Sequence, residues 1–243
     1  MKAVILAAGI ASRLRPLTNH TPKCLLKVGD KCLLERAING LIANNIRHII
    51  IVTGYLQEQI VSFVNGNYPD LTVEFIYNEE YASTNNIYSL WLAKNSIKND
   101  TIILLDSDIL FDPLVVKAVI DEPYPNTLAL NRHSLSEEEM KIVAGPDNLI
   151  QEISKTCSVK EAAGESIGIE KMSPRYTDAL FRELDQMILE EKLSNIFYEA
   201  AFERLIKKGE NFRIVDTTSL FSMELDTPED FNAAIDKFPS NLR

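Results

Sequence analysis

Short apolar runs alternate with amphipathic stretches through the first half of this chain. The apolar runs are bounded by turn residues or charges, as buried strands usually are, and they cover residues 4–6, 48–52, 73–76, 102–105 and 128–130. The stretches between them have helical periodicity and cover residues 33–44, 56–64, 86–94 and 113–120. Strands that alternate with helices are typical of a parallel sheet with crossover connections. We therefore predict an α/β fold of the Rossmann-like type, with a mixed, mainly parallel sheet flanked by helices.

The pattern changes after about residue 120. Shorter strands, two longer helices, a last strand and a closing helix after Thr227 are predicted there, at 141–143, 149–153, 166–169, 178–191, 196–207 and 212–215. We find no internal repeat, low-complexity segment or long linker. The sequence therefore predicts one domain over residues 1–243, with a core of 1–120 and 221–243 and a small elaboration at 121–220.

Composition and charge exclude several classes of protein. A hydrophobic content of 46% is enough for a substantial core. The formal net charge of −10 argues against binding to nucleic acid, whose backbone would be repelled. No apolar run approaches the length of a membrane span and no signal segment opens the chain, so we predict a cytoplasmic protein without membrane insertion. The three cysteines have no metal-clip or redox spacing and are predicted to be buried thiols, and the three scattered histidines argue against a zinc site.

The first strand opens into a loop of small residues followed by cations. Gly9 is flanked by small and apolar residues, and the cations Arg13, Arg15 and Lys23 follow it. Small residues let the backbone approach a phosphate chain, and the cations supply the matching charge. A tight strand-to-helix turn or a solvated cluster of cations would also explain these residues. A dinucleotide fingerprint does not, because it needs three spaced glycines and only Gly9 precedes Leu14.

This loop resembles the sugar-phosphate nucleotidyltransferase superfamily, whose pattern is L-A-A-G-x-G-x-R-L-x-P-L-T followed by P-K. Ala11 stands where the second glycine usually is. The resemblance implies a GT-A-type sheet and a nucleotide held by Leu6, Ala8 and Gly9. It also implies that Arg13 binds the leaving β- and γ-phosphates and that Lys23 contacts the α-phosphate and the incoming acceptor oxygen. Arg15 is expected to be structural or an outer contact.

Two acidic motifs indicate a metal site. Asp106 and Asp108 follow an apolar strand, and Mg²⁺ usually takes one or two carboxylates together with substrate phosphates. Capping of the following turn or helix is the alternative for these aspartates, and helix initiation also explains the Thr227-Pro228 start of the last helix. By resemblance, Asp108 and Asp226 hold one Mg²⁺, with Glu224 as a weaker outer or second-metal candidate. The D-x-D spacing also matches glycosyltransferases, in which the N-terminal loop is not expected.

The segment 78–90 reads N-x-x-Y-x-x-T-N-N-x-Y-S-L. It resembles the CTP-using branch of the superfamily, which includes phosphocholine and 2-aminoethylphosphonate cytidylyltransferases. The resemblance implies a base pocket of Asn85, Asn86 and Ser89, because amide and hydroxyl groups both donate and accept hydrogen bonds. Further expected CTP contacts are Tyr81, Thr84, Asp106 and the wall residues Thr53 and Gly54. A polar loop that caps a helix through Thr84 or Asn85 is the alternative.

Residues 121–220 are expected to bind the acceptor. Glu165 lies in a segment that resembles the strand crossing the acceptor site, although a charge at a strand edge would look the same. Phe197, Tyr198 and Glu199, with Trp91, form either a cage for a choline-like cation or part of a helix core. The resemblance implies that an acceptor phosphate or phosphonate oxygen attacks the α-phosphorus of CTP with Mg²⁺ bound. A sugar or polyol phosphate acceptor with CTP or UTP, a non-catalytic nucleotide-binding homologue and a homodimer are left open.

Overall fold

The computed structural model describes residues 1–97 and 99–242, so Lys98 and Arg243 of the predicted domain lie outside the described residues. The strands are β1 (Lys2–Ala7), β2 (Lys27–Val28), β3 (Lys31–Cys32), β4 (His48–Thr53), β5 (Thr72–Tyr77), β6 (Ile102–Asp106), β7 (Ile109–Phe111), β8 (Thr127–Asn131), β9 (Lys141–Ala144), β10 (Ile150–Ser154), β11 (Gly164–Met172), β12 (Arg213–Asp216) and β13 (Ser222–Glu224). The helices are α1 (Leu33–Ala43), α2 (Gln57–Asn67), α3 (Asn86–Leu92), α4 (Lys94–Ile97), α5 (Leu114–Asp121), α6 (Pro174–Asp185), α7 (Glu199–Lys207) and α8 (Pro228–Lys237).

The central sheet has the strand order β10-β9-β11-β6-β1-β4-β5, and β8 pairs with both β11 and β12. Strands β6, β1, β4 and β5 are parallel neighbours, while β11 runs antiparallel to β6, β8 and β9. The predicted α/β class, a mixed sheet with a parallel centre flanked by helices, is confirmed. The carboxyl ends of β1, β4 and β6 lie side by side, at the edge where open α/β sheets bind ligands.

Alternating residues of β1 supply two faces of the core. Val4 and Leu6 belong to a cluster with apolar residues of α3, α6 and α7. Ala3 and Ile5 belong to a second cluster with residues of α1, α2 and α5. Because successive side chains of a strand point to opposite faces, helices cover both sides of the sheet.

Several predicted helices differ from the observed ones at their boundaries. The helix predicted over 56–64 is observed as Gln57–Asn67, and the one predicted over 196–207 begins at Glu199. The helix predicted over 86–94 ends at Leu92, and α4 follows as a separate short helix. The helix predicted to begin at residue 178 begins at Pro174, because the Ser173 side chain accepts a hydrogen bond from the backbone amide of Tyr176 and caps the first turn. A π-helical turn over Gln186–Glu190 then extends α6.

A two-stranded ribbon brings the C-terminal segment to the central sheet. Strand β13 pairs antiparallel with β7, with Glu224 opposite Ile109, and the Leu225 amide donates to the Asp108 carbonyl (3.1 Å). Helix α8 begins directly afterwards with a capping box between Thr227 and Asp230. The ribbon therefore places the residues that precede α8 beside the turn that follows β6.

Two compositional predictions can be compared with the fold. Cys24, Cys32 and Cys157 are buried free thiols, as predicted. Within the part of the chain that the structure describes, no helix combines the length and the apolarity needed to cross a membrane.

Candidate active site

A cavity of about 1200 Å³ opens at the carboxyl ends of β1 and β6. Most of the side chains predicted for the site line it, from both the N-terminal and the C-terminal halves of the chain. They are Leu6, Ala8, Gly9, Arg13, Lys23, Tyr81, Thr84, Asn85, Asn86, Ser89, Asp106, Asp108, Glu165 and Asp226. The fold therefore gathers these residues into one place, whatever role each one has.

Lys23 lies at the centre of the charged residues of this cavity. Its Nζ atom is 2.9 Å from Asp108 Oδ2 and 2.7 Å from Asp226 Oδ1. Arg13 reaches the other oxygen of Asp226, with Nη2 2.5 Å from Oδ2. Burial disfavours the Lys23 ammonium, but the two carboxylates outweigh it and raise the pKa of Lys23 to about 12. Lys23 is therefore a fixed positive charge over the acidic groups.

Three carboxylates in this region could hold a divalent cation. One oxygen each of Asp108, Glu224 and Asp226 lies within 4.8 Å of the other two. This all-oxygen donor set fits Mg²⁺, which prefers hard carboxylate ligands. Glu224 is thus placed with the two predicted ligands, whereas the sequence made it only a weaker candidate, as an outer or second-metal group. The β7–β13 pairing is the reason, because it brings Glu224 next to the turn that carries Asp108.

The charges of the cluster shift the pKa values of its acids in opposite directions. Burial opposes ionisation of Asp226, but the charges of Lys23 and Arg13 lower its pKa. Burial in the cavity wall, together with the charges of Asp108 and Asp226, raises the pKa of Glu224 to about 8. A bound cation would relieve this crowding of negative charge.

The conformation of the N-terminal loop explains why the family pattern has a glycine where this chain has Ala11. Ala11 has φ 51° and ψ 51°, in the left-handed region. Its carbonyl accepts a hydrogen bond from the buried Thr18 hydroxyl (2.9 Å). Arg15 is exposed and does not line the cavity. The loop therefore keeps its turn although an alanine occupies the strained position.

The polar loop before α3 is organised by a residue that was given no role from the sequence. Asn78 is 1% exposed, and its Nδ2 donates to Thr84 Oγ1 (3.2 Å) and to Ser89 Oγ (3.1 Å). Asn85 caps α3, since its side chain accepts from the Asn86 amide (2.7 Å), which confirms the capping alternative for Asn85. The signal for Asn78 was present, because it is the first residue of the N-x-x-Y pattern.

Thr53 and Gly54 do not form the cavity wall that was predicted. Both are buried, and the Thr53 hydroxyl is engaged with Gln57 and the Ile76 carbonyl. A Cβ atom at Gly54 would lie 2.5 Å from the Ala8 carbonyl oxygen and 2.6 Å from Tyr81 Cβ. Gly54 therefore lets the end of β4 approach the nucleotide loop closely, behind the residues that line the cavity.

The predicted aromatic cage is also not formed as expected. Tyr198 is fully buried and its hydroxyl donates to Asp106 Oδ2 (3.1 Å), so it cannot contact a ligand in the cavity. The Trp91 indole donates to Asp185 (2.9 Å), away from the cavity lining. Phe197 and Glu199 do line it. Tyr198 is therefore a positioning residue for Asp106 rather than a wall of the acceptor pocket.

Acids with buried carboxyl groups lie around Tyr198, and two of them, Asp106 and Glu199, also border the cavity. Burial, with the neighbouring Asp108 charge, raises the pKa of Asp106 well above its usual range. Burial likewise raises the pKa of Glu170 well above its usual range and that of Glu199 to about 7. Gly168, with φ +68°, makes room for this packing, because a Cβ atom there would lie 2.6 Å from Asp106 Oδ2.

The acceptor side of the cavity contains paired charges. Glu165 Oε2 is 2.7 Å from His133 Nε2, while His133 Nδ1 is 3.1 Å from the Ser134 carbonyl oxygen. Both ring nitrogens therefore face oxygen acceptors, as the imidazolium form requires. Burial opposes this form, but the hydrogen bond to Glu165 raises the pKa of His133. Lys155 Nζ lies 4.6 Å from the centre of the Phe197 ring, a cation–π contact.

Comparison with known proteins gives one family and several relatives. The sequence model of the Nucleotidyl transferase family matches residues 2–143. A choline-phosphate cytidylyltransferase of Streptococcus pneumoniae is 44% identical over 107 residues, which cover 44% of this chain and 45% of that protein. The CTP:phosphoglutamine cytidylyltransferase of Campylobacter jejuni is 27% identical over 98% of this chain and 100% of its own length. The chain thus spans less than half the length of the first of these relatives.

A solved structure agrees with the sequence matches. The structure of CTP:phosphocholine cytidylyltransferase from Streptococcus pneumoniae superposes with a TM-score of 0.80 and 25% identity, covering 98% of this chain and 99% of that one. The resemblance to the CTP-using branch of the superfamily is therefore supported by sequence and by fold. The family model matches more than half of the length of this chain, so the chain belongs to the nucleotidyl transferase family.

Proposed function

We propose that this protein is a Mg²⁺-dependent cytidylyltransferase. It transfers CMP from CTP to the phosphate or phosphonate oxygen of a small alcohol or amino alcohol derivative, such as phosphocholine, phosphoethanolamine or 2-aminoethylphosphonate, and releases pyrophosphate. The observation that carries the proposal is the position of Lys23, whose ammonium group bridges Asp108 and Asp226 at the mouth of the nucleotide loop.

The reaction needs positioning and charge neutralisation more than proton transfer. A phosphate monoester has a second pKa near about 6, so the acceptor is largely dianionic at neutral pH and needs no general base. Its oxygen forms a bond to the α-phosphorus, the bond from that phosphorus to the bridging oxygen breaks, and the electron pair leaves with pyrophosphate. The enzyme must bring two anions together, which a fixed array of cations favours.

The charged residues of the cavity suit these steps. Lys23 neutralises the α-phosphate and the incoming oxygen, and Arg13 binds the leaving phosphates. Asp108 and Asp226, joined by Glu224, would hold the Mg²⁺ ion, which when bound supplies Lewis-acid stabilisation of charge on the phosphates. Arg13 is paired with Asp226, so it must change partner to reach a triphosphate.

The nucleotide preference rests on the loop held by Asn78. Asn86 Oδ1 accepts from the Tyr198 amide (2.9 Å), and its Nδ2 has no partner among the described residues. Cytosine offers ring acceptors to such a donor and an amino group to the nearby hydroxyls of Thr84 and Ser89. Relatives whose names specify CTP support the same choice.

The acceptor is held at the other end of the cavity. Glu165 and Glu199 offer carboxylates to an ammonium group, and Phe197 offers an aromatic face that is 40% exposed. These groups support an acceptor that carries a positive charge in addition to its phosphate.

Pyrophosphate release by the purified protein tests the proposal. CTP, UTP, ATP and GTP are each combined with phosphocholine, phosphoethanolamine, 2-aminoethylphosphonate, inositol phosphate and sugar 1-phosphates, with and without Mg²⁺. We expect turnover with CTP and an amine-bearing acceptor only, and only with Mg²⁺. Turnover with UTP and a sugar phosphate would assign a different substrate class, and no turnover with any pair would favour a non-catalytic nucleotide-binding homologue.

A further inference from the structure

The acceptor end of the cavity already contains a cation supplied by the chain itself. Lys155 follows β10 directly and Phe197 precedes α7, and both line the cavity. The ammonium group of Lys155 lies over the Phe197 ring at 4.6 Å from its centre. This is the position that a cationic group of an acceptor would take on the exposed ring face.

Two carboxyl groups that line the same cavity are close enough to this cation to feel its charge. Glu199 is 5% exposed and its Oε2 has no hydrogen-bond partner among the described residues, while it still borders the cavity. Glu165 is mostly buried and is bonded to His133. Burial raises the pKa values of both acids, and the charge of Lys155 opposes part of this rise. Two basic side chains of the chain itself, Lys155 and His133, therefore already lie with Glu165 and Glu199 in this part of the cavity.

This arrangement disfavours an acceptor that brings only a positive group. Such a group must move the Lys155 ammonium off the Phe197 ring or lie beside it as a like charge. An acceptor with an ammonium and a carboxylate meets no such conflict. Its carboxylate can pair with Lys155, while its ammonium lies toward the side of the cavity that Glu165 and Glu199 line.

We propose that Lys155 is a specificity-determining residue that makes this protein prefer acceptors carrying a carboxylate in addition to an amine and a phosphate. The inference rests on the proposed cytidylyltransferase function and names the substrate class of the same site. It differs from a simple choline-type pocket, in which the aromatic face and the acids would be open to a bare cation.

O-phosphoserine and O-phosphoethanolamine form a matched pair for the test, because they differ only by one carboxylate. CTP-dependent pyrophosphate release gives kcat/KM for each compound with the wild type, Lys155→Met, Lys155→Arg and Lys160→Met. Lys160 is an exposed lysine near the same loop that does not line the cavity, so its variant is the control.

We expect the wild type to prefer O-phosphoserine. A charge-assisted hydrogen bond contributes about 1.5–3 kcal/mol, so Lys155→Met should lower the O-phosphoserine to O-phosphoethanolamine ratio by about tenfold or more. Most of this change should come from KM. Lys155→Arg should keep the ratio within about threefold of the wild type, and Lys160→Met should not change it.

Isothermal titration of both compounds into the same proteins separates the inference from the proposed function. A binding preference for O-phosphoserine that Lys155→Met removes, without turnover in any variant, would support the inference and contradict the proposed activity. Turnover with an unchanged ratio in Lys155→Met, or a wild type that prefers O-phosphoethanolamine, would overturn the inference. If neither compound is bound or turned over, the result would contradict both the inference and the proposed function.

Discussion

Lys23 Nζ lies 2.7 Å from Asp226 Oδ1, although 203 positions separate the two residues in the chain. The same nitrogen is 2.9 Å from Asp108 Oδ2, so one ammonium group joins the N-terminal loop to both acidic segments. The lysine thus neutralises the two carboxylates that are proposed to bind Mg²⁺. Substrate, metal and lysine charges must therefore be balanced together in this site.

Replacing Lys23 by Met should separate these effects. We expect pyrophosphate release to fall by about 100-fold or more, because a fixed charge at the reacting phosphate is lost. Without Mg²⁺ the variant should also unfold more readily, since Asp108 loses its Lys23 partner and Asp226 keeps only Arg13. Mg²⁺ should therefore stabilise the variant more than it stabilises the wild type. Thermal unfolding with and without Mg²⁺ measures this difference. Lys27→Met, at an exposed position, is the control, and equal Mg²⁺ stabilisation in Lys23→Met and wild type would contradict the shared site.

Asp226→Asn tests the proposed metal site directly. The substitution removes one negative ligand while it keeps the shape of the side chain, so we expect activity to fall by about 100-fold and the Mg²⁺ concentration for half-maximal rate to rise. Pyrophosphate release over a Mg²⁺ titration measures both quantities. Asp236→Asn makes the same change on an exposed turn of α8 and should leave the titration unchanged. A normal Mg²⁺ dependence in Asp226→Asn would exclude Asp226 as a ligand.

Ala11→Gly should stabilise the protein. A left-handed conformation costs an alanine about 1–2 kcal/mol, whereas glycine adopts it freely and loses part of that gain to the greater entropy of its unfolded chain. We expect a net increase of about 0.5–1 kcal/mol in the free energy of unfolding, measured by urea denaturation. Ala162→Gly, in a loop outside the left-handed region, should instead destabilise the protein. A loss of stability in Ala11→Gly equal to that in the control would show that the turn is not strained.

The periodicity of the sequence was sufficient to predict the sheet and its helices. Buried strands such as β1 and β4 are continuous apolar runs, and their local pattern does not depend on distant residues. The same holds for the start of α8, where Thr227 and Pro228 form a local capping signal. The predicted domain range, cytoplasmic location and homodimer stay predictions.

Local sequence patterns did not predict which distant segments pair at the site; Asp108 and Asp226 were brought together only by the family resemblance, and Glu224 was only a weaker candidate. Strands β7 and β13 are three residues each, too short for a periodic signal, and only their pairing places Glu224 with the other acids. Tyr198 was assigned to the cavity because the sequence does not show whether an aromatic side chain beside an acid, at the start of a helix, points into the cavity or into the core. Its neighbours Phe197 and Glu199 do line the cavity, while Tyr198 turns to Asp106. The direction of a side chain at a helix terminus was the information that the sequence lacked.

The raised pKa values of the buried acids around Tyr198 predict how the free energy of unfolding varies with pH. Burial raises the pKa of Glu199 to about 7 from an ordinary value near 4.5. Between these two pH values the Glu199 carboxyl is therefore protonated in the folded state and ionised in the unfolded state. The contribution to stability is complete below about pH 4.5 and disappears as pH rises through 7, a loss of about 3 kcal/mol. Glu199→Gln cannot ionise, so it should be more stable than the wild type at pH 8 and similar at pH 5.

Urea denaturation at several pH values between 5 and 8 measures this effect. Glu170→Gln should act in the same direction, because burial also raises the pKa of the fully buried Glu170. Glu190→Gln, at an exposed position after α6, is the control and should follow the wild-type curve. If Glu199→Gln keeps the wild-type slope of stability against pH, then Glu199 is ionised in the folded state throughout this range. Its carboxylate would then be available to an acceptor ammonium at every pH tested, and acceptor KM should not change between pH 6 and 8 through this residue.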